Sequence, residues 1–392
     1  MLNFNYHNHT EIIFGREREN EIGEILTRYN ASKVLLHYGG SSAKKSGLYD
    51  RVISSLNNTG VAFVELGGVL PNPRLSLVNE GIELCRKENV DFILAMGGGS
   101  VIDSAKTIAM GVPYEGNVWD FFRNKMAKKA VPLGVILTIP AAGSESSQDA
   151  VITNDLTPEN NKWPSCSTSM LRPRFAVLNP ELSMTLPAYQ TAAGATDITV
   201  HLLERYFTND TSQDLSDRLI ESNLQTVIKY TPIVIKEPNN YNIRSQIMWA
   251  GTLAHNNLFG AGRTGDWASH NIEHELSAVY DVTHGAGLAV ITPAWMEYVM
   301  KHDLQRFIQM ATRLFGIEYD AWHPDRTALA GIKAYRAFLK EIGMPSTLSE
   351  LGIPSSKLEE LADRATAGDT ATVGNFVKLN KNDVLAILES CK

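Results

Sequence analysis

Five residues that can bind a metal ion lie in the second half of the sequence, and four of them form two pairs at helical spacing. Asp197 and His201 lie four residues apart in a segment of helical character, and His270 and His274 repeat that spacing. Residues at i and i+4 share one face of a helix, so both side chains of a pair can reach one ion. His284 follows in a turn flanked by glycine. Three imidazoles and one carboxylate suit Zn²⁺ or Fe²⁺, and the spacing alone leaves open which histidine is not a ligand.

A glycine-rich loop in the first half is typical of a phosphate-binding turn. The loop consists of Gly97, Gly98, Gly99 and Ser100. Glycines allow the backbone to approach a phosphate closely, and the helix that begins here offers unpaired N–H groups. The loop does not follow the G-x-G-x-x-G dinucleotide pattern. Asp103 lies about one turn into the helix, where its carboxylate suits the dipole and can meet a ligand, so we name it a candidate catalytic and cofactor-binding residue.

Two further loops of small residues follow apolar runs. In the loop at 138–147, Thr138 and Ser147 can contact a ribose or a nicotinamide amide, or can cap a helix. The other loop consists of Gly39, Gly40, Ser41 and Ser42. Dinucleotide sites often place an acidic side chain at such a strand end to bind the adenosine ribose. This loop lacks a carboxylate that would repel a 2′-phosphate, so we predict NADP(H) rather than NAD(H).

The elements that must position these residues change character along the chain. Apolar, β-rich runs at 33–38, 61–66, 91–96 and 133–140 alternate with helical segments such as 73–89. This alternation indicates an α/β domain with a doubly wound parallel sheet. Beyond about residue 185, helical periodicity dominates, in the segments 187–207, 213–236 and 241–260. We predict a dinucleotide-binding domain at 1–182 and an all-helical, metal-binding domain at 183–392.

Length and composition agree with a two-domain metabolic enzyme. A chain of 392 residues exceeds one ordinary core. The net charge of −7 argues against nucleic acid or an anionic membrane as the main partner, and a small-molecule substrate fits better. The three cysteines are scattered and form no C-x-x-C pair. The N-terminal residues do not read as a signal peptide, so we expect a cytoplasmic protein.

Several blocks of the sequence are specific in combination. They are GGGSVIDSAK at 97–106, TIPAAGSESS at 138–147, FAVLNPELSMTLP at 175–187 and WASHNIEHELSAVYDVTHGAGLAV at 267–290. With them, nearly the whole chain resembles the iron-containing (group III) alcohol dehydrogenase family, and within it the NADPH-dependent butanol dehydrogenase and aldehyde reductase branch.

The resemblance implies a fold and a metal centre. It implies a Rossmann-like N-terminal domain and an all-α C-terminal domain, as in dehydroquinate synthase-like proteins, with the active site in the cleft between them and a homodimeric assembly. It also implies that Asp197, His201, His270 and His284 bind the metal. His274 then corresponds to a histidine that is not a ligand and lies near the nicotinamide and the substrate.

The resemblance also implies the cofactor contacts. The 97–100 loop matches the pyrophosphate site, and Asn72 matches a further cofactor contact. Thr138, Ser147 and Lys162 fall where the family contacts the nicotinamide half. NAD-using relatives usually carry an aspartate at the place of Gly39 and Gly40, so this sequence is similar to the NADP-using branch. The family label names iron, but zinc occurs in this branch, so the ligand set leaves both metals open.

Together these features predict reversible hydride transfer between NADP(H) and short-chain primary alcohols or aldehydes such as butanol and butanal. A Lewis-acidic metal would polarise the carbonyl oxygen, and His274, solvent or the cofactor ribose would relay the proton.

Three different functions compete with this prediction. A lyase similar to dehydroquinate synthase would share the fold, but the segments 190–205 and 265–290 are poor in the basic residues that a phosphate-bearing substrate needs. A glycerol-type dehydrogenase, which acts on smaller and more polar substrates, is a closer competitor. A cofactor-binding protein without turnover is disfavoured, because such a protein has no need of the complete ligand set.

Overall fold

The computed structural model describes residues 1–123, 125–157, 162–164, 168–210 and 212–392, with the backbone alone at 162–164. These residues form two compact units. The first, here called the sheet unit, comprises His7–Leu186 and Pro238–Asn256. The second, the helical unit, comprises Met1–Tyr6, Pro187–Glu237 and Asn257–Lys392. The domain boundary near Leu182 stays a prediction from the sequence.

The strands all belong to the sheet unit. They are β1 (Glu11–Phe14), β2 (Lys33–Tyr38), β3 (Ala62–Leu66), β4 (Phe92–Gly97), β5 (Leu133–Leu137), β6 (Val151–Thr153), β7 (Lys162–Pro164) and β8 (Phe175–Leu178). The four apolar runs predicted as strands are confirmed as β2 to β5. Six strands form a parallel sheet in the order β1-β8-β5-β4-β2-β3, and β6 pairs with β7 antiparallel.

The helices occur in both units. They are α1 (Ile22–Arg28), α2 (Ser42–Lys45), α3 (Leu48–Thr59), α4 (Leu75–Glu88), α5 (Gly99–Gly111), α6 (Ala188–Tyr206), α7 (Asp214–Lys236), α8 (Tyr241–Ala254), α9 (Ala268–Tyr280), α10 (His284–Val299), α11 (Leu304–Phe315), α12 (Pro324–Glu341), α13 (Leu358–Ala365) and α14 (Lys381–Ser390). The predicted helical segments at 73–89, 187–207 and 213–236 are confirmed as α4, α6 and α7, and α8 lies within 241–260.

The parallel sheet is buried on both faces, which explains why its central strands are continuous apolar runs rather than alternating ones. Apolar side chains of α1 and α3, such as Leu26 and Val52, cover one face. Side chains of α4 and α5, such as Ile82 and Ile102, cover the other face. The doubly wound α/β architecture predicted from the sequence is therefore confirmed.

The sheet register brings the predicted cofactor loops to one edge. Tyr38 at the end of β2 pairs with Met96 of β4, and Gly97 pairs with Leu137 at the end of β5. Parallel strands end on the same side, so the loops that follow β2, β4 and β5 lie side by side. Ligands of open α/β sheets bind at this carboxyl edge.

The helical unit consists of helices around an aromatic core, as predicted for the C-terminal region. The fully buried Trp295 of α10 lies edge-on to Phe207, with ring centroids 5.2 Å apart. Phe307 of α11 packs against Phe207 at 4.6 Å. Around this core α10 packs against both α6 and α9. These three helices bear the predicted metal ligands. No helix in the described part of the chain has the length and apolar character that a bilayer crossing requires.

Candidate metal centre and cofactor loops

The four predicted metal ligands come together in the helical unit. Asp197 and His201 lie one turn apart on α6, His270 lies on α9, and His284 begins α10. The Oδ1 atom of Asp197 is 3.5 Å from Nδ1 of His201 and 3.7 Å from Nε2 of both His270 and His284. Three imidazole nitrogens therefore surround one buried carboxylate oxygen.

The distances from Asp197 Oδ1 fit a divalent cation, and the ligand atoms of Asp197, His201 and His270 all lie within 4.8 Å of one another, a group that does not include His284. A tetrahedral ion with ligand bonds of about 2.0–2.2 Å places its ligand atoms about 3.3–3.6 Å apart. The 3.5–3.7 Å separations are close to that range and mostly too long for hydrogen bonds. Nε2 of His270 is buried and has no hydrogen-bond partner among the residues that the structure describes. A buried nitrogen of this kind is costly, and a cation bound to it would remove the cost.

Two glutamates that sequence reasoning missed contact the ligand histidines from behind. Oε2 of Glu204 contacts Nδ1 of His270, and Oε2 of Glu273 contacts Nδ1 of His284. Both carboxylates are buried. Glu204 had a readable signal, because it lies seven residues after Asp197 and therefore on the same face of α6.

The pKa of His270 reports the electrostatics of this centre. Burial by itself would lower the pKa of the imidazole, but the Glu204 and Asp197 carboxylates raise it to about 10. The surroundings of His270 therefore stabilise positive charge at a buried position. Such surroundings suit a cation.

A glycine allows α10 to approach α6 at this centre. A Cβ atom at Gly285 would collide with the backbone carbonyl of Ala193 on α6. The backbone approach places His284, the first residue of α10, near Asp197. The glycine beside His284 thus has a packing reason that the sequence could only suggest.

His274 lies beside the ligand set. Its ring centroid is 6.0 Å from that of His270 and 5.6 Å from that of His284. Its potential ligand atom groups with those of Glu273 and His284, whereas Asp197, His201 and His270 form the other group. The structure therefore brings His274 to the centre, and its role as a non-ligand stays a prediction.

The indole ring of Trp267 packs against two of the ligand histidines. The residue's φ of 69° is a rare backbone conformation for a bulky residue. Its ring lies 5.4 Å from that of His270 and 6.1 Å from that of His201, and the Arg205 guanidinium lies 4.6 Å over it. Four other aromatic side chains are buried away from solvent: Trp119, Phe121, Phe122 and Phe259.

In the sheet unit, the glycine-rich loop connects β4 to α5 as predicted. Gly97 ends β4, Gly98 caps the helix, and Gly99 and Ser100 form its first turn. A Cβ atom at Gly98 would lie 3.0 Å from Cβ of Ile139, and one at Gly99 would lie 3.1 Å from Ala142. The glycines are thus needed for close packing of the two loops, and they form the amino end of α5, the part of a helix that offers free N–H groups.

Asp103 is hydrogen-bonded within the protein on both carboxylate oxygens. Oδ1 accepts from Ser144 Oγ at 2.6 Å, and Oδ2 accepts from the Val151 amide at 3.0 Å. Burial raises the pKa of this carboxyl, against the opposing effect of Lys106. These bonds give Asp103 a structural function that joins α5 to the 144–151 segment. Its predicted catalytic and cofactor-binding roles stay predictions.

Lys106 is a buried cation that sequence reasoning missed. Its Nζ donates to Ser144 Oγ at 2.8 Å, to Ser147 Oγ at 3.1 Å and to the Asp149 carbonyl at 2.8 Å. Burial lowers the pKa of Lys106 to about 8, although Asp103 and Asp149 favour the charged form. The lysine therefore fixes the loop that contains Ser147, one of the predicted nicotinamide contacts.

The remaining predicted cofactor residues lie in loops of the same unit. The Thr138 amide donates to the Gly97 carbonyl at 3.0 Å, which places Thr138 directly beside the glycine-rich loop. Asn72 is buried, with a φ of 53°. Lys162 is in β7, and its side chain is outside the described part of the structure.

The loop of Gly39, Gly40, Ser41 and Ser42 leaves β2 at the same sheet edge. The Gly68 amide donates to the Gly39 carbonyl at 2.9 Å and holds the loop at its base. A Cβ atom at Gly40 would meet no atom within 4 Å. Gly40 therefore faces open space, and a larger side chain could be accommodated there.

A carboxylate near this loop is already engaged. Glu65 of β3 accepts hydrogen bonds from the Tyr38 hydroxyl at 2.9 Å and from the Tyr49 hydroxyl at 2.7 Å. The Lys44 ammonium lies 4.7 Å from the centroid of the Tyr49 ring. Both carboxylate oxygens of Glu65 thus accept hydrogen bonds from tyrosine hydroxyls. The groups that the loop itself offers to a ligand are backbone groups and serine hydroxyls.

Comparison with known proteins identifies the family. Residues 9–180 match the profile of the iron-containing alcohol dehydrogenases, and residues 191–391 match the profile of the C-terminal part of the Fe-containing alcohol dehydrogenase family. The chain belongs to the iron-containing alcohol dehydrogenase family. This membership confirms the resemblance read from the sequence blocks and favours a dehydrogenase over a lyase.

Individual members of the iron-containing alcohol dehydrogenase family are similar over the whole chain. The chain is 44% identical over 392 residues to the probable NADH-dependent butanol dehydrogenase 2 of Bacillus subtilis (strain 168), with 100% of both chains covered. It is 38% identical to the NADPH-dependent aldehyde reductase YqhD of Escherichia coli (strain K12), over 92% of each chain. The crystal structure of NADH-dependent butanol dehydrogenase A from Thermotoga maritima superimposes with a TM-score of 0.95 at 40% identity, covering 100% of this chain and 99% of that one.

The chain is therefore an alcohol and aldehyde oxidoreductase of the butanol dehydrogenase and aldehyde reductase branch. The iron-containing alcohol dehydrogenase family implies a nicotinamide cofactor and a divalent metal. Relatives named for NADH and for NADPH are both similar to the chain, so its cofactor preference has to be argued from its own residues.

Proposed function

We propose that this dehydrogenase interconverts short-chain primary alcohols, such as butanol, and the corresponding aldehydes with NADP(H) and one divalent metal. Asp197, His201, His270 and His284 would hold the metal. The observation that supports this most strongly is the convergence of three imidazole nitrogens within 3.5–3.7 Å of the Asp197 Oδ1 atom.

The bound metal would supply Lewis acidity, which polarises the aldehyde carbonyl and lowers the pKa of an alcohol. The protein's part is to fix the ligand geometry before the substrate arrives. Asp197 and His201 are held by the buried helix α6, and His270 and His284 each have a glutamate behind the ring. Positions fixed in advance avoid reorganisation during the reaction.

His274 is the side chain of this chain that we propose for moving a proton to or from the substrate oxygen. Its ring lies beside two ligand rings, 5.6 Å from His284 and 6.0 Å from His270 by centroid. Imidazole can donate and accept a proton near neutral pH. A His274→Phe variant that keeps its metal but loses activity at neutral pH would support this role.

For the cofactor, we propose that the pyrophosphate lies at the amino end of α5, beside Gly97, Gly98, Gly99 and Ser100. We propose further that Gly39, Gly40, Ser41 and Ser42 accept the 2′-phosphate of NADP(H). The absence of a side chain at Gly40 and the engaged carboxylate of Glu65 support this choice. Asn72, Thr138, Ser147 and Lys162 remain the proposed contacts to the rest of the cofactor.

Elemental analysis and a cofactor comparison test the proposed function together. The purified protein should contain about one zinc or iron per chain, and should oxidise NADPH faster than NADH in the presence of butanal. An Asp197→Ala variant should lose the metal and the activity, whereas the exposed Asp214→Ala change on α7 should leave both unaltered. Full activity after chelation and loss of Asp197 would refute the metal-dependent mechanism.

We also keep a homodimeric assembly and a cytoplasmic location as proposals. Analytical ultracentrifugation of the purified protein would test the first, and fractionation of the cells that produce it would test the second.

A further inference from the structure

Glu273 is a buried carboxylate that lies outside the predicted ligand set but touches it. Its side chain on α9 is fully excluded from solvent. Ser277 Oγ, one turn later, donates to Oε1, and Oε2 contacts Nδ1 of His284. Burying a charge in this way is costly unless the charge has partners. The buried carboxylate of Glu273 therefore has a specific function at this position.

His284 is the ligand that most needs orientation. It is the first residue of α10, so no preceding helical turn packs against it. About a quarter of its side chain is exposed, whereas the other three ligand side chains are nearly inaccessible. When Nδ1 donates its hydrogen to Glu273, the lone pair of Nε2 is left facing Asp197 Oδ1, 3.7 Å away. The contact thus fixes both the tautomer and the direction of the ring.

Gly287 of α10 is a second observation that concerns this carboxylate, because the Glu273 side chain packs directly against its Cα. A Cβ atom at Gly287 would lie 2.6 Å from Cγ and 2.7 Å from Oε1 of Glu273. Glycine inside a helix is less stabilising than alanine because it loses more backbone freedom on folding. The helix accepts that cost at the one turn where the Glu273 side chain needs the space.

The same arrangement occurs once more in the centre. Oε2 of Glu204 contacts Nδ1 of His270, while Oε1 accepts the His270 amide at 3.1 Å. Ligand histidines are commonly fixed by a carboxylate on the other ring nitrogen. The contact of Glu204 to the backbone also gives it a structural function, so Glu273 is the cleaner case to test.

We infer that Glu273 is a positioning residue of the metal centre, which orients His284 and whose placement depends on Gly287. The inference rests on the proposed metal function and names a residue that acts through a ligand rather than as one. Loss of a carboxylate in this position typically weakens metal binding by about 10- to 100-fold.

Zinc affinity of the metal-free full-length protein, measured by competition with a chromophoric chelator, tests the inference. Glu273→Ala should weaken Zn²⁺ binding by about 10- to 100-fold, and Glu273→Gln should weaken it less because an amide oxygen can still accept from Nδ1. Glu275→Gln, on the same helix but paired with Arg364 at 2.7 Å, is the matched control and should leave the affinity unchanged. The visible absorption of the Co²⁺-substituted protein should change in the Glu273 variants and stay unchanged in Glu275→Gln.

A double-mutant cycle separates a specific contact from a general disturbance. Gly287→Ala should also weaken Zn²⁺ binding, because its methyl group displaces Glu273. In the Gly287→Ala/Glu273→Ala protein that clash is gone, so the double variant should bind Zn²⁺ no more weakly than Glu273→Ala alone. Additive losses would overturn the dependence on Gly287.

The outcomes for the wild type and the variants are distinguishable. A wild-type protein that does not bind Zn²⁺ or Co²⁺ refutes the proposed function and the inference with it. If the wild type binds Zn²⁺ tightly and both Glu273→Gln and Gly287→Ala bind it with the wild-type affinity, the inference is overturned and the proposed function is not. These two variants keep the test decisive even where Glu273→Ala does not fold.

Discussion

His270 in the helical unit and His37 in the sheet unit are both buried imidazoles, yet their electrostatic surroundings are opposite. Burial lowers the pKa of His37 to about 4, with only the Leu66 carbonyl opposing it. Burial also acts to lower the pKa of His270, but the carboxylates of Glu204 and Asp197 raise it to about 10. The comparison shows that the neighbouring charges, and not burial, determine which of the two sites is suited to a cation.

The partners of His37 explain its neutral state. Nδ1 contacts the Leu66 carbonyl at 2.8 Å and Nε2 contacts Ser104 Oγ at 2.9 Å. Both ring nitrogens are thus satisfied by neutral groups, and the ring links β2 to β3 and α5. His37 is therefore a structural histidine of the sheet unit.

Replacing each histidine by glutamine is the strongest test of this difference. His270→Gln should remove the metal and lower the rate of butanal reduction by at least about 1,000-fold, because Lewis-acid stabilisation contributes several kcal/mol. His37→Gln should keep the metal, since an amide can replace both hydrogen bonds. Elemental analysis and NADPH oxidation measure the two effects. Stoichiometric metal in His270→Gln would contradict the assignment of the centre.

The pH dependence of stability tests the neutral state of His37. Its pKa is about 4 in the folded protein and 6.5 ordinarily. Below pH 6.5 the unfolded chain therefore binds a proton that the folded protein does not take up until about pH 4. Its contribution to the free energy of unfolding is present above pH 6.5 and falls by about 3 kcal/mol by pH 4.

The difference between wild type and His37→Gln isolates this contribution. Urea unfolding of both proteins at pH 7, 6, 5 and 4 should show the wild type losing about 3 kcal/mol more than the variant. Acid losses at the metal centre occur in both proteins and cancel in the difference. Parallel curves for the two proteins would mean that the pKa of His37 is the same in the folded and unfolded states, which would contradict its lowered pKa.

Adding a carboxylate to the sheet unit tests whether charge placement also decides cofactor preference. Gly40→Asp should lower kcat/KM for NADPH about fivefold or more, because a carboxylate near a 2′-phosphate costs on the order of 1 kcal/mol or more at a solvent-exposed site. The rate with NADH should change less. Gly40→Asn, which adds similar bulk without charge, is the control. Equal losses with both cofactors in Gly40→Asp would contradict 2′-phosphate binding at this loop.

Sequence patterns predicted those elements of the fold that depend on residues within one segment. The apolar runs became β2 to β5 because strands buried on both faces need continuous apolar side chains. β1 escaped prediction because it has four residues and pairs with β8, which lies more than 150 residues later in the chain. Likewise, α8 belongs to the sheet unit although its sequence follows two helices of the helical unit.

Residue spacing predicted the metal centre only within single helices, and the full ligand set came from the family resemblance. Spacing at i and i+4 placed Asp197 with His201, because helix geometry is local. It could not place His284 beside Asp197, because that depends on the approach of α10 to α6 at Gly285. Glu204 and Glu273 were missed for the same reason, since each acts on a histidine that tertiary packing brings to it.

The sequence by itself determined the family, the alternation of strands and helices, and the residue types able to bind a cation and a phosphate. Only the tertiary structure decided which buried charges face one another. Local geometry fixes where a side chain leaves its own helix, but Coulomb energy depends on distances between different helices. The opposite directions of the pKa shifts of His270 and His37 follow from those distances, and neither histidine's own segment contains that information.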